Sequence, residues 1–510
     1  MKFTGIFGKG LRPLPRILAL GVLALPLGAC DLDRILAVRD PEQVAPEELE
    51  NPESVPGLYN GALRSFFVAY SGAADDAYLT VSGALSDELY TADTFVTRQA
   101  TDKRDQQPPV VGNTSDAAYA RLQLARVNAR RAAAAAEKFG VGSAGAASLP
   151  ATLATLRAIE GFTYVALAEG FCGNIPFSVT PDSGPIDPVD PTQFRPGITT
   201  LAAFDSAIVR MTAAVAAQPA PTGSAALNAS YLAKVGLGRA QLNRGNYAAA
   251  AAAVAGVPTS FVFRIEHSAN SGAQTNPIWS LQSNGRYGVA NDEGGIQRPD
   301  QLATSATPAD TVGFRTDEGE GLAYRAYMDP RVTWFAGGAA FAGGVNLFRD
   351  GRYIDQNSDV PLASGVEARL IEAEAQLAAN PGDGAWLATL NTLRASASTL
   401  IPILYPAITD ALKATFPQTL APLTDPGTAA GRVDLLFRER ALWMYVTGHR
   451  LGDMRRLIRQ YGRAESSVFP TGAYFYGPLG VFGNDVAFPI PFTEVNNTQF
   501  DASKCNVDQA

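Results

Sequence analysis

Leu237-Gly238-Arg239-Ala240-Gln241-Leu242-Asn243-Arg244-Gly245-Asn246-Tyr247-Ala248-Ala249-Ala250 carries the reading that decides the fold. Apolar and small side chains recur through it at three- and four-residue spacing, the period of one helix face. Gly245-Asn246 breaks that period with residues suited to a helix end and a turn, and Tyr247 restarts it. The unit reads as helix, turn, helix. Gly236, Gly238, Ala240 and Ala250 give it a small-residue seam that lets helices approach closely. The same spacing runs through 118–139, 153–171, 232–254, 366–379 and 434–461. The intervals between these stretches are irregular. The sequence therefore supports helical pairs, over about 114–256 and 360–461, and not a regular solenoid.

Long non-helical segments separate the pairs. Residues 173–197 are rich in Pro, Asp and Gly and read as loop. The insertion at about 258–359 holds β-branched and aromatic runs at 260–265, 331–335 and 341–348, with Gly-Gly pairs as turn signals. Loops of such length inside a compact domain are usually functional. Helices form the expected scaffold, and the insertions its working face.

The N-terminus sets the compartment. Lys2, Lys9, Arg12 and Arg16 precede a short apolar run, 17–25, that ends in Leu27-Gly28-Ala29-Cys30. The run is too short for a membrane span, which needs about 20 residues, and residues 1–29 read as an export signal. The closing tetrapeptide resembles a bacterial lipobox, which makes Cys30 the acylated residue of a mature chain, 30–510. An uncleaved N-terminal anchor is the alternative. The formal net charge is −8, and removal of the signal takes away four positive charges and no negative one. An acidic body without a basic block argues against nucleic acid as a partner. Two histidines among 510 residues leave little room for His-based metal sites or triads.

Several short motifs resemble, in order, those of the SusD/RagB family. They begin with Val38-Arg39-Asp40-Pro41-Glu42, Leu58-Tyr59-Asn60-Gly61-Ala62, Ser86-Asp87-Glu88-Leu89 and Gly173-Asn174-Ile175-Pro176-Phe177. Asp329-Pro330-Arg331 and the helix Glu367-Ala368-Arg369-Leu370-Ile371-Glu372-Ala373-Glu374-Ala375 follow. Arg438-Glu439-Arg440, Gly448-His449-Arg450, Asp453-Met454-Arg455-Arg456 and Phe488-Pro489-Ile490-Pro491 complete the order. Each is weak alone, but together they span nearly the whole mature chain. Thr447 and Leu451 stand where many relatives carry Glu and Trp, and Asn496-Asn497-Thr498 replaces the usual Asn-Pro step. The 237–250 unit is similar to a tetratricopeptide helix-turn-helix. The resemblance implies a mainly α fold, a tetratricopeptide-like helical repeat scaffold with long, partly β, loop-rich insertions. It also implies a binding protein and not an enzyme, lipid-anchored at the outer membrane and surface-exposed. Such a protein holds an oligosaccharide or peptide for a SusC-like TonB-dependent transporter, with no cofactor beyond the lipid on Cys30. A lipid-anchored helical-repeat scaffold that binds only proteins is the rival reading.

Residue chemistry narrows the sites. His449 and Asp453 lie four apart on one helix face, as a proton relay would. Arg450, Asp453, Arg455 and Arg456 equally suit ion pairs that pin this helix to earlier ones, and Glu367, Glu372 and Glu374 suit helix–helix pairing. The run 355–359 starts like a calcium loop, but Val360 stands where glycine is required, so a capped turn fits better. Sugar rings stack on aromatics while their hydroxyls take polar partners. Phe95, Arg98, Trp279, Asn284, Arg286, Tyr287, Trp334 and Tyr353 are the ligand-binding candidates, each with a core role as its alternative. Acylation of Cys30 leaves Cys172 and Cys505 as an even pair in an oxidising compartment. A disulfide there would fasten the polar tail, and two unpaired thiols are the alternative. Cys30→Ala is expected to abolish acylation and release the protein from the membrane fraction. Mass spectrometry and fractionation check this, and unchanged membrane retention without a lipid mass shift would refute it.

Overall fold

The structure is a computed structural model that describes residues 49, 51–72, 77–106, 112–178, 193–290, 322–343, 345–472, 474 and 480–510. The signal segment 1–29, Cys30, the 38–42 motif and the middle of the long insertion lie outside the described residues.

Helices dominate. The first group is α1 (Val55–Ser71), α2 (Tyr78–Leu85), β1 (Leu89–Thr91), α3 (Val96–Asp102), α4 (Ser115–Phe139) and α5 (Leu149–Gly170). A short antiparallel pair, β2 (Ile175–Pro176) with β3 (Gly197–Ile198), closes the 173–197 loop at its ends. Then come α6 (Thr200–Ala217), α7 (Ser224–Asn243) and α8 (Tyr247–Val254). The insertion contributes β4 (Val262–Ile265), α9 (Pro277–Ser283), β5 (Tyr287–Val289), β6 (Trp334–Ala339), β7 (Asn346–Asp350) and β8 (Val360–Ser364). The chain returns to helix in α10 (Gly365–Ala379), α11 (Ala385–Ala395), α12 (Ala397–Leu404), α13 (Asp410–Lys413), α14 (Ala429–Trp443), α15 (Arg450–Tyr461) and α16 (Glu465–Val468). Among the described residues the named strands form two-stranded antiparallel pairs, β1 with β5, β2 with β3, β4 with β8 and β6 with β7.

Local sequence explains these elements. In α4 the buried residues Ala118, Leu122, Ala125, Ala129, Ala132 and Ala136 recur at three- and four-residue steps, so one apolar stripe faces α1 and α5. The 232–254 stretch divides at Gly245, whose φ of +76° suits a glycine turn, into α7 and α8. The 434–461 stretch likewise divides into α14 and α15. Side-chain caps start several helices: Ser364 Oγ accepts from Glu367 N at 3.1 Å, and Thr199 Oγ1 from Ala202 N at 3.2 Å. Gly236 of α7 and Gly161 of α5 both face Met211 of α6. A Cβ would lie 2.5 Å from the Met211 side chain at Gly236 and 2.7 Å at Gly161. The small seam is what lets three helices meet there.

The helices are locked by buried ion pairs. Arg456 of α15 reaches Glu374 of α10 at 2.5 Å and Asp453 at 2.8 Å. Asp453 also takes both Nε and Nη2 of Arg440 of α14 at 2.9 Å. Burial alone would push the Asp453 carboxyl upward, but the two guanidinium groups outweigh it and hold it well below the usual carboxylate range. Arg239 of α7 grips Glu169 of α5 with two nitrogens, and His449 Nε2 lies 3.1 Å from Glu367 of α10. Arg455 Nη1 donates to the carbonyls of Ala168, Glu169 and Phe171 at 3.0, 2.9 and 3.0 Å, and so caps α5.

The resembling motifs are largely structural. Glu88 Oε1 accepts from Val446 N at 2.7 Å, Arg331 pairs with Asp329 and Glu439, and the Phe488 ring packs on Phe171 at 5.2 Å. Residues 355–359 form a hydrogen-bonded turn, with Asp355 Oδ1 accepting from Asn357 N at 2.6 Å. Cys172 and Cys505 are disulfide-bonded with Cα atoms 5.3 Å apart. The tail is held further by Val486 N donating to Val507 O at 2.8 Å and Asn174 Nδ2 to Asp501 O at 2.7 Å. Among the described residues, Arg456→Met leaves Glu374 with only the Tyr461 hydroxyl at 2.7 Å and the more distant Arg440 at 3.8 Å, and loss of one partner of a buried pair costs up to about 3–5 kcal/mol. Chemical denaturation is expected to show that loss, and Arg456→Met combined with Glu374→Gln is expected to recover part of it. Strictly additive losses would refute the coupling.

Candidate functional site

Three chain segments meet beside β1. Thr91 of β1 lies opposite Tyr287 of β5, and the pairing continues as Ala92 N donates to Arg286 O at 2.8 Å. The tip of the β6–β7 hairpin joins through Phe341 N to Gly285 O at 2.8 Å and Ala342 N to Ala92 O at 2.9 Å. Tyr90 OH fastens the hairpin further, donating to Asn346 O at 2.5 Å and accepting from Phe348 N at 3.1 Å. Backbone pairing thus fixes three loops of distant sequence origin relative to one another.

Their side chains form a stack. The Arg286 guanidinium carbon lies 5.0 Å from the Phe95 ring centre and 4.2 Å from that of Phe341, within cation–π range. Both rings are about half exposed, Phe95 at 54% and Phe341 at 53%. Beneath them Asp93 binds Arg286 and Arg98, each at 2.6 Å. Burial pushes the Asp93 carboxyl up, but hydrogen bonds from Arg286 and Arg98 outweigh it and hold the group below its ordinary range. Arg98 also faces the rings of Phe95 at 4.9 Å and Tyr287 at 6.0 Å. The result is two outward aromatic faces around a charge that is anchored and held in one orientation. Such a surface offers stacking area and guanidinium donors to a ligand bearing both CH faces and hydroxyl oxygens.

The candidates chosen from sequence separate into three groups. Phe95, Arg98, Arg286 and Tyr287 come together here, although Arg98 and Tyr287 are buried supports. Asn284 is exposed at the end of α9, next to the Gly285 turn, and Trp279 is half-buried on the same helix. Trp334 and Tyr353 are corrected to core residues. Trp334 Nε1 donates to Arg325 O at 3.3 Å and its ring packs edge-on against Phe348 at 5.6 Å. Tyr353 is fully buried, and its hydroxyl donates to Val446 O at 3.1 Å. Neither presents a ring face to solvent. Phe341 was not among the candidates, since in sequence it is one aromatic in a run that reads as strand. The His449–Asp453 relay does not form, because Asp453 is occupied by Arg440 and Arg456. Among the described residues no cluster of His, Cys, Asp and Glu could hold a metal ion.

No protein-family model matches the chain, and no curated protein matches its sequence. Solved structures do match in fold. A SusD/RagB family protein from Bacteroides thetaiotaomicron is 14% identical, with a TM-score of 0.57 over 87% of this chain and 96% of that one. A SusD-like carbohydrate binding protein from Bacteroides vulgatus is 14% identical, with a TM-score of 0.52 over 82% and 84%. A laminarin binding SusD-like protein is 13% identical, with a TM-score of 0.51 over 88% and 98%. A helical-pair scaffold that carries a loop-built aromatic cluster is the class this molecule represents. Its fold is that of these SusD-like structures.

The base of the site contains a titrating group. Asp102 ends α3, the helix that presents Phe95, and its Oδ2 accepts from Thr91 N at 2.6 Å and Tyr474 OH at 2.5 Å. Its other oxygen is buried without a hydrogen bond, and burial pushes the carboxyl up to about 7. The folded state therefore holds a proton that the unfolded state releases near pH 4, so stability falls as pH rises from about 4 to about 7 and then levels. Asp102→Asn is expected to flatten that fall in denaturation series across the window. An unchanged pH profile would refute the assignment.

Proposed function

We propose that this protein is a surface glycan-binding lipoprotein of the SusD/RagB kind that passes its ligand to a SusC-like TonB-dependent transporter. It is a binder and not an enzyme, with Cys30 as its lipid anchor in the outer membrane. The observation that carries the reading is the Phe95–Arg286–Phe341 stack, two exposed rings held by three backbone-paired loops. Exposed aromatics normally have little reason to be fixed so firmly, whereas a stacking platform requires it. Carbohydrate and laminarin binding in proteins of the same fold supports the same reading.

The test is equilibrium binding and turnover on one panel of laminarin, starch, xylan, mannan and arabinan oligosaccharides. Binding of at least one glycan without hydrolysis is expected. Phe95→Ala and Phe341→Ala are each expected to weaken it several-fold, because ring stacking contributes about 0.5–1.5 kcal/mol beyond area burial. Trp334→Ala is expected to lower thermal stability instead. Glycan hydrolysis, or binding that neither phenylalanine substitution alters, would overturn the proposal.

A further inference from the structure

A second concavity lies away from the aromatic stack, on the C-terminal helical pairs. It is a groove of about 590 Å³ between α10, α11, α12 and the turn that precedes β4, a size within the range of small-molecule sites. Arg369 and Glu372 reach it from α10, Thr392 from α11, Ser396 and Thr399 from the α11–α12 junction, and Ser260 from the turn. Leu393 and Leu400 supply an apolar floor. Among the described residues no aromatic ring lines it.

The polar groups in this groove are under-used by the protein. Arg369 Nη2 sits 2.8 Å from Glu372 Oε1, yet both Nε and Nη2 of Arg369 are buried without a properly directed hydrogen bond. The short distance is an ion pair whose angles miss those of a hydrogen bond, so the donors remain unsatisfied. No hydrogen bond within the described residues uses the hydroxyls of Ser260, Ser396 or Thr399, and the hydroxyl of Thr392 donates only to Ala388 O at 2.9 Å. Those two nitrogens have almost no accessible surface, so a ligand in the groove would meet the guanidinium at Nη1, with the open hydroxyls as donors and acceptors beside it. Glu372 is half-buried, and desolvation raises its carboxyl above the usual range, which again favours a site that supplies it with donors.

We infer that the groove formed by Arg369, Glu372, Ser260, Ser396 and Thr399 is a second binding site, for a neutral mono- or disaccharide. Adjacent hydroxyls of a sugar accept from the Arg369 guanidinium and donate to Glu372, a combination that an anion or a cation alone does not match. The pair is neutral overall, so a neutral ligand leaves no uncompensated charge in the groove. Serine and threonine hydroxyls each donate or accept and suit the remaining ring oxygens. The shape suits a compact sugar, where the exposed Phe95–Arg286–Phe341 platform suits a longer chain. The site is independent of that platform.

The test uses the mature chain and a panel of glucose, galactose, mannose, xylose, maltose and cellobiose, read by saturation-transfer NMR and calorimetry. Free amino acids form a parallel panel. At least one sugar is expected to bind at millimolar Kd both to the native protein and to the Phe95→Ala/Phe341→Ala variant. Arg369→Met is expected to weaken it about tenfold, since hydrogen bonds to charged groups contribute about 1.5–3 kcal/mol. Thr399→Val, which keeps the side-chain shape at an exposed position, is expected to weaken it by a few-fold and carries the test should Arg369→Met fail to fold. The inference is overturned if no sugar binds once the platform is removed, if both groove variants bind unchanged, or if amino acids bind and sugars do not.

Discussion

The buried charges of α15 are the constraint on which the rest of the molecule depends. Arg456 and Arg440 share Asp453 and Glu374, and Arg455 closes the end of α5 through three carbonyls. Arg239 and His449 bring Glu169 and Glu367 to the same centre. Helices separated by hundreds of residues are thereby held to one register. A slip of one residue along any of them would leave a charge buried without its partner, which is far less tolerable than a lost apolar contact. Apolar packing supplies the bulk of the attraction between these helices, and shape fixes close approaches such as that of Gly161 and Gly236 to Met211. The ionic centre adds a penalty for every mismatched charge.

That fixed scaffold makes the loops usable. The end of α5 leads directly into Cys172, whose disulfide to Cys505 brings the tail beside the first helical pairs. Phe488 N donates to Gly170 O and Cys172 N to Phe488 O, each at 2.8 Å, so the same point is pinned by covalent bond, ladder and ring packing. On the other side, Glu88 ties β1 to the 445–446 turn. β1 in turn orders β5 and the β6–β7 hairpin. A short chain of contacts therefore runs from the ionic centre to the rings of Phe95 and Phe341. Binding residues on loops need this kind of support, since a flexible ring would lose on ordering much of what it gains by stacking.

The helical stretches were legible because a 3.6-residue apolar period shows in sequence wherever a helix packs by one face. Gly245 was legible as a break for its turn chemistry. α6 lies within the 114–256 helical region but shows no clear period of its own, and α1 lies outside both helical regions. The buried Ala203, Phe204, Ala207, Met211 and Ala214 of α6 are mostly small, and exposed Leu201 and Val209 blur the stripe. The pairing of Arg456 with Glu374 and Asp453 agrees with the expectation that charges within packing helices need partners, whereas Arg455 forms no ion pair among the described residues and instead donates to three carbonyls. The candidate site was half legible. Phe95 and Arg286 stood out as loop residues, whereas Trp334 and Tyr353 carried the same chemical signal and turned out to be core.

Sequence by itself determined the helical class, the division into pairs and insertions, and which cysteines were left to pair. These follow from periodicity, turn residues and counting, each a property of a stretch of chain or of its composition. Only the tertiary structure decided which rings face outward, that Phe341 completes the stack, and that Asp453 serves Arg440 and Arg456 and not His449. Exposure and partner choice depend on which distant segments meet. An aromatic residue or a carboxylate has the same local signature whether its neighbour in space is water, a second ring or a guanidinium group.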